Sequence, residues 1–418
     1  MADGKRRVVV TGLGIVSCLG SDYPTVLDAL EAGKSGVRAM PEWERYGLKS
    51  LVAAPATDLE AKKESVALPK KLVPGMSDAA LFCSIAAKDA VADAGLNESD
   101  LAGSATACIV GSGVGSVDSV SKAAQLYFDH RIRRIDPYAV LRCMSSSASA
   151  AVANLLKLRG RSYSLSSACA TATHNIGHAY ELIRDGALDS ALAGGGEDVS
   201  ELVTASFQAL RLALSTRFNE TPTKASRPYD ADRDGFVIGG GGGIVVLEEL
   251  ERARARGARI RAEIIGFGAT SDGYDAVLPE PEGKQAGACM QMAIDGAGCQ
   301  PSDIEYINTH GTSTIHGDVA EVRAMQLVFD NEMPLFSSTK SMTGHAIGAA
   351  GALELIFCIG MLERGFVAPS INVENPDPVV EGLPLVTETL RRQLTTVLSN
   401  NFGFGGTNAS LVIRQPDA

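Results

Sequence analysis

Cys169 has the surroundings that covalent chemistry requires. It stands in Ser166-Ser167-Ala168-Cys169-Ala170-Thr171-Ala172, after a run of strand character and before one of helical character. A cysteine at a helix N-terminus feels the positive end of the dipole, which lowers its pKa and favours the nucleophilic thiolate. Small neighbours permit a tight turn and leave room for a substrate at the sulfur. The competing reading is a buried structural thiol. That reading is the better one for the other seven cysteines: Cys18, Cys83, Cys108, Cys143, Cys289, Cys299 and Cys358. None of the eight forms a CxxC pair, so neither a zinc ribbon nor a disulfide scaffold is indicated, and reduced thiols of a cytoplasmic protein are expected.

Two histidines stand in settings suited to proton donation. His310 follows the β run Glu305 to Asn308 and opens the polar loop Gly311-Thr312-Ser313-Thr314. A metal reading with His316 and Asp318 fails on spacing, because a six-residue His separation on a loop matches no common zinc signature. His345 closes Lys340-Ser341-Met342-Thr343-Gly344-His345, ahead of an apolar stretch, Ala346 to Leu362, interrupted only by Glu354. A helix apolar on nearly every side is buried. A buried carboxylate there needs a partner, and Lys340 is the candidate. For His345 itself, a satisfied core histidine remains the alternative. The segment Asn401-Phe402-Gly403-Phe404-Gly405-Gly406-Thr407-Asn408 has two readings. Its N–H groups and aromatics could face a ligand, or it is a glycine-rich hairpin with core aromatics.

Two apparent motifs carry little. Asp230-Ala231-Asp232-Arg233-Asp234-Gly235 starts like an EF-hand loop, but Gly241 stands where the closing Glu belongs. Gly111-Ser112-Gly113-Val114-Gly115 lacks the GxGxxG spacing of a dinucleotide loop.

These residues need elements to hold them. Arg7 to Thr11, Ala107 to Gly111, Ser162 to Ser166 and Ala191 to Ala193 read as short buried strands. Asp78 to Ala94 and Thr171 to Asp185 read as helices stopped by Gly95 and Gly186. The alternation predicts an α/β fold with parallel strands buried on both faces. A duplication is also suggested. Arg7 to Gly14 and Ala262 to Gly268 are both β runs leading into Gly-x-Gly. Ser164 to Ser167, leading to Cys169, is echoed by Leu335 to Ser338, leading to His345. Ser35 to Pro69 reads as a surface excursion, and Arg217 to Asp234 as a long ordered loop of the kind that lines sites.

The bulk numbers exclude other classes. With 418 residues, 45% of them hydrophobic, the chain can bury a large core. A net charge of −11 argues against nucleic-acid binding. No run of 18 uncharged apolar residues suggests a membrane span, and Met1 to Arg7 is too polar for a secretory leader.

Taken together, Cys169, His310, Lys340, His345 and the Phe-Gly-Phe-Gly-Gly-Thr-Asn segment resemble the β-ketoacyl-acyl carrier protein synthases, type I/II condensing enzymes of the thiolase-like superfamily. The resemblance runs from Val8 to Val412. It implies a thiolase-like α/β fold, five-layered α-β-α-β-α, built from two similar halves and usually paired as a homodimer. Residues 1–260 would form the half with the nucleophilic Cys, and residues 261–418 the half with the two His, as one compact unit. It implies catalytic roles for Cys169, His310, His345 and Lys340, with Glu354 as buried support. The backbone N–H groups of Cys169 and Phe404 would form an oxyanion hole. Thr312, Thr314, Phe402 and Phe404 would hold the substrate's pantetheine arm and gate the tunnel. The partners would be acyl and malonyl thioesters on an acidic acyl carrier protein. No cofactor of the protein's own and no metal are implied, since 4′-phosphopantetheine arrives on the carrier. An acidic carrier calls for a basic docking patch, and Lys70, Lys71, Arg131, Arg133 and Arg134 are the local candidates. A thiolase would offer a second, late cysteine, yet none follows Cys358.

Overall fold

A computed structural model describes residues 5–210, 213–330 and 332–416. Residues 1–4 of the polar start lie outside it. Ten strands carry the architecture. In chain order they are β1 Val8–Val16, β2 Thr106–Gly111, β3 Ser162–Tyr163, β4 Ser190–Glu197 and β5 Gly241–Glu249, then β6 Ala262–Ser271, β7 Tyr306–Asn308, β8 Leu335–Ser337, β9 Thr396–Gly403 and β10 Thr407–Arg414. Their order across the sheet is β8-β7-β9-β10-β6-β1-β5-β4-β2-β3.

Each half repeats one topology: its third strand, second, fourth, fifth, first. The directions repeat as well. The third, second and fourth strands run parallel, and the fifth runs antiparallel to both the fourth and the first. The suggested duplication is therefore a duplication of fold. The expected parallel strands are present in each half, but the sheet as a whole is mixed. In the second half the reason is local, because β9 and β10 are joined by a turn of Phe404, Gly405 and Gly406, too short for a parallel crossover. Within the sheet the halves are joined by three paired residues, Val8 to Val10 against Ala262 to Ile264.

Helices complete the layers. α1 Asp78–Asp93 covers the outer face of β1, β4 and β5, and α3 Lys284–Ala297 covers β6 and β10. Between the half-sheets lie α2 Thr171–Arg184 and α5 Ala350–Arg364, each packed on strands of both halves. This central position explains why every residue from Ala350 to Leu362 is buried. It also gives the five-layered α-β-α-β-α order of a thiolase-like fold. The Gly-x-Gly echo has a physical cause in the outer layers. A Cβ at Gly12 or Gly14 would lie 2.1 or 1.8 Å from the carbonyls of Ala90 or Ala86 in α1. One at Gly266 or Gly268 would lie 2.0 or 2.1 Å from those of Ala293 or Cys289 in α3. Each half needs glycine where its first strand touches its outer helix.

The excursion within 35–69 is more ordered than its composition suggests. It buries Trp43, and its strand Val52–Ala54 pairs with Ile238–Gly239. The loop 217–234 is pinned by ion pairs, Arg227 to Asp230 at 3.0 Å and Arg233 to Asp318 at 3.3 Å.

Candidate active site

The two related strand-to-helix corners, one after β3 and one after β8, meet at the floor of a cavity of about 320 Å3. Cys169, His310, His345, Phe402 and Phe404 all line it. Cys169 sits in a single 3-10 turn, Ala168–Ala170, that leads directly into α2. Ala168 takes the left-handed conformation at φ 49°. Non-glycine residues there are strained, and such strain gathers at functional turns. Cys169 is 7% exposed, and the Phe404 backbone N–H faces its sulfur. A Cβ at Gly403 would sit 3.0 Å from the Cys169 nitrogen and 2.9 Å from the Ser167 carbonyl, so glycine keeps the space beside both N–H groups open.

The expected low thiol pKa is not found. Burial pushes the Cys169 thiol up to about 12, against the opposing pull of the Lys340 charge and the Phe404 N–H. Desolvation of a thiolate outweighs the help available at the helix start. The resting residue is a thiol.

The imidazoles of His310 and His345 meet edge to face, with centroids 5.2 Å apart. Neither ring nitrogen of His345, nor Nδ1 of His310, has a hydrogen-bond partner within the protein. Buried polar atoms are ordinarily paired, so unpaired imidazole nitrogens on two residues that line a cavity mark candidate ligand-binding groups. A satisfied core histidine is therefore not what His345 is. Burial and the nearby Lys340 charge hold both imidazoles well below the usual histidine pKa, and His345 adds to this for His310. Both are neutral at physiological pH and can each donate one N–H.

Lys340 and Glu354 form the expected ion pair, 1% and 3% exposed at their side chains. The second Glu354 oxygen accepts from Asn401 Nδ2 at 2.7 Å, and Asn401 Oδ1 accepts from Thr173 of α2. One buried chain of hydrogen bonds thus links the corners of both halves. Thr312 and Thr314 line the cavity with their hydroxyls 3.0 Å apart, where α4 Ile315–Phe329 begins. Phe404 stacks near Phe207, and Phe207 near Phe236, giving the cavity an apolar wall. Asn401 to Gly403 belong to β9 and Thr407 to Asn408 to β10, so the segment is a hairpin whose turn faces the site. Lys70, Lys71, Arg131, Arg133 and Arg134 are all exposed. Their two segments lie close: a Cβ at Gly75 would touch the Tyr138 ring at 3.5 Å.

Several contributors were not foreseen. Glu321, buried on α4, accepts from the His310 and Gly311 N–H groups at 2.8 and 2.7 Å and so fixes the His310 loop. Burial raises its carboxyl to about 7. Asp318, one turn earlier, accepts from the Ser313 and Tyr229 N–H groups and pairs with Arg233. It cannot serve with His310 and His316 as a ligand set, and no group of three metal-ligating residues occurs among the described residues. Acidic residues at the fourth and seventh positions of the helix after a loop histidine are the signal that could have found them. Phe207 and Phe236 carried no local signal. Asp230 and Asp234 are engaged by Arg227 and by loop N–H groups, which removes the calcium reading. The glycine loop after β2 holds an internal carboxylate, Glu197, rather than a phosphate.

Residues 5–253 match the family model of the β-ketoacyl synthase N-terminal domain, and residues 261–374 that of its C-terminal domain. The chain is 48% identical over 412 residues to 3-oxoacyl-[acyl-carrier-protein] synthase 1 of Haemophilus influenzae, covering 98% of this chain and 99% of that protein. A β-ketoacyl synthase from Burkholderia phymatum shares the fold with a TM-score of 0.91 and 37% identity, over 99% of this chain and 100% of that one. A ketosynthase solved with its type II PKS acyl-carrier protein gives a TM-score of 0.88 and 32% identity, over 99% and 100%. With a thiolase-like fold, a cysteine corner facing two unpartnered imidazoles, and relatives matched end to end, the chain belongs to the β-ketoacyl synthase family, the condensing acyltransferases of the 3-oxoacyl-[acyl-carrier-protein] synthase type.

Proposed function

We propose that Cys169 takes an acyl group from an acyl carrier protein as a thioester, and that the site then condenses it with malonyl-carrier protein. The sulfur attacks the acyl carbonyl, and the pantetheine thiolate leaves with the proton that Cys169 gives up. The developing oxyanion accepts from the Cys169 and Phe404 N–H groups, each donor contributing about 3–4 kcal/mol. Malonyl-carrier protein then enters past Thr312, Thr314 and Phe402. Loss of CO2 leaves the bond's electron pair as an enolate, whose oxygen accepts from His310 and His345. Neutral imidazoles stabilise that charge without quenching the carbanion. The carbanion attacks the acyl carbonyl, and collapse expels the Cys169 thiolate, which takes a proton from solvent. Lys340, fixed by Glu354, polarises the site.

The observation that carries this reading is the convergence of one thiol, the Phe404 N–H donor and the unpartnered imidazole nitrogens in one apolar cavity. The test is intact-mass labelling with acyl-carrier protein. One acyl adduct is expected on the wild type and none on Cys169→Ala; an adduct that survives the substitution would assign the nucleophile elsewhere.

We further infer that the chain works as a homodimer and in the cytoplasm, with no cofactor of its own. Val120, Tyr127, Phe128, Ile132, Val140 and Leu141, on helix 117–128 and the segments packed against it, are 45–72% exposed, an apolar face that a second copy would cover. All eight cysteines are free thiols, as a reducing compartment requires. No helix among the described residues is long and apolar enough to cross a membrane. Light scattering that returned a monomer would refute the dimer.

A further inference from the structure

Glu197 closes β4 and is 1% exposed. Its Oε1 accepts from the Ser112 hydroxyl at 2.7 Å, and its Oε2 from the Gly113 N–H at 2.8 Å and the Gly348 N–H at 3.1 Å. These donors belong to two different loops. Ser112 and Gly113 follow β2, and they touch the nucleophile's corner. The Ser112 carbonyl accepts from Ser166 at 3.2 Å, and a Cβ at Gly113 would lie 3.1 Å from the Ala168 carbonyl. Gly348 stands three residues after His345, in the 3-10 turn Ile347–Ala349 that leads into α5.

The two corners are copies. Ala168–Ala170 and Ile347–Ala349 are both single 3-10 turns that run directly into a central helix, and both begin with a left-handed non-glycine residue. Ala168 has φ 49° and Ile347 has φ 43°. Gly348 is thus the counterpart of Cys169 in the second half. A β-branched residue holds such a backbone only where its surroundings impose it. The Gly348 N–H bound to Glu197 is one such restraint. Packing is tight enough that a Cβ at Gly348 would fall 2.3 Å from the Gly113 nitrogen and 2.8 Å from Glu197 Oε2.

We propose that Glu197 is a positioning residue of the condensing site, a single buried carboxylate that sets the Cys169 corner against the His345 corner. The inference rests on the reading of those two residues given above. What matters is the reach and acceptor geometry of its oxygens. A glutamine has the same reach, and its oxygen can take both N–H groups while its amide donates to the Ser112 hydroxyl. An aspartate keeps the charge but withdraws the oxygens by one methylene. The groups facing Glu197 are Cys83 of α1, Asp198 beside it and Cys169, while Lys340, His310 and His345 face the thiol side. Burial raises the Glu197 carboxyl to about 7, so near neutral pH part of the population carries the protonated form that glutamine imitates.

The experiment compares wild type, Glu197→Gln and Glu197→Asp in two half-reactions: acyl transfer to Cys169, and decarboxylation of malonyl-carrier protein. Rates are expressed per Cys169 titrated with iodoacetamide, so loss of folded protein does not count. Misplaced reacting groups cost large factors in rate, so Glu197→Asp should slow both half-reactions roughly tenfold, with the carrier's KM moving less than about threefold. Glu197→Gln should keep both within about threefold of wild type. An aspartate variant as fast as wild type per titrated site, or a glutamine variant slowed roughly tenfold, would overturn the proposal. Absence of acyl transfer in the wild type would instead overturn the reading it rests on.

Discussion

Burying Cys169 behind Phe404 sets how its thiol meets reagents as well as substrate. A pKa raised to about 12 means that the thiolate fraction grows about tenfold per pH unit through the neutral and mildly alkaline range. The alkylation rate of Cys169 should therefore keep rising from pH 7 to pH 10, and a plateau below pH 8 would contradict a resting thiol. The histidines make a separate prediction. With both imidazoles lining the cavity and holding unpaired nitrogens, His310→Ala or His345→Ala should lower malonyl decarboxylation by about 10² to 10³. Acyl transfer to Cys169 should suffer far less, because the oxyanion donors there are backbone. Mass spectrometry of each half-reaction separates the two. These residues were legible in the sequence because each carries its surroundings within a few positions. Glu197 was not, because a buried carboxylate at a strand end reads as an ordinary polar residue until its distant N–H partners are known.

At the scale of elements, the site depends on where β9 turns. Gly403 leaves room beside the Cys169 nitrogen that no other residue would leave. Gly403→Ala should reduce acyl transfer by about 10² or more, the cost of disturbing one oxyanion donor, with the fold retained. Circular dichroism beside the rate would check this, and an unaltered rate would remove Gly403 from the account. The ion pair under the site gives a stability counterpart. Lys340→Ala leaves Glu354 buried without its cation and should cost about 3–5 kcal/mol in chemical denaturation. Element by element, the helices at 78–93 and 171–184 and the buried strands β1, β2 and β4 stood out through periodicity and glycine stops, whereas the buried strand expected at 162–166 is only the two-residue edge strand Ser162–Tyr163. Strand direction did not. A buried strand has the same apolar pattern whether its neighbour runs with it or against it, so only the short 404–406 turn could have shown that β9 and β10 are antiparallel.

Over the whole molecule, two halves of one topology each bring a strained corner to a shared cavity, and the surface must deliver a carrier-borne substrate to it. The chain carries a net charge of −11, so docking of an acidic carrier calls for a local basic patch. If Lys70, Lys71, Arg131, Arg133 and Arg134 form that patch, KM for the carrier should rise with salt between about 50 and 300 mM while kcat stays level. Charge reversal at Arg133 and Arg134 should remove most of that dependence; a salt-independent KM in the wild type would place docking on another face. The duplication itself was visible as paired Gly-x-Gly runs, since close strand-to-helix contact demands glycine in both halves. The exposed apolar face on helix 117–128 was invisible in the sequence, because that helix looks amphipathic whichever neighbour covers it. The central claim is that one thiol receives the acyl chain and surrenders it to a carbanion made in the same cavity. The direct measurement is a single turnover: acylate Cys169, remove the carrier, add malonyl-carrier protein, and follow both proteins by intact mass. The account predicts that the enzyme loses its acyl mass as the carrier gains the β-ketoacyl product, with one CO2 released per chain. An acyl-enzyme that keeps its acyl group, or loses it only to water, would contradict it.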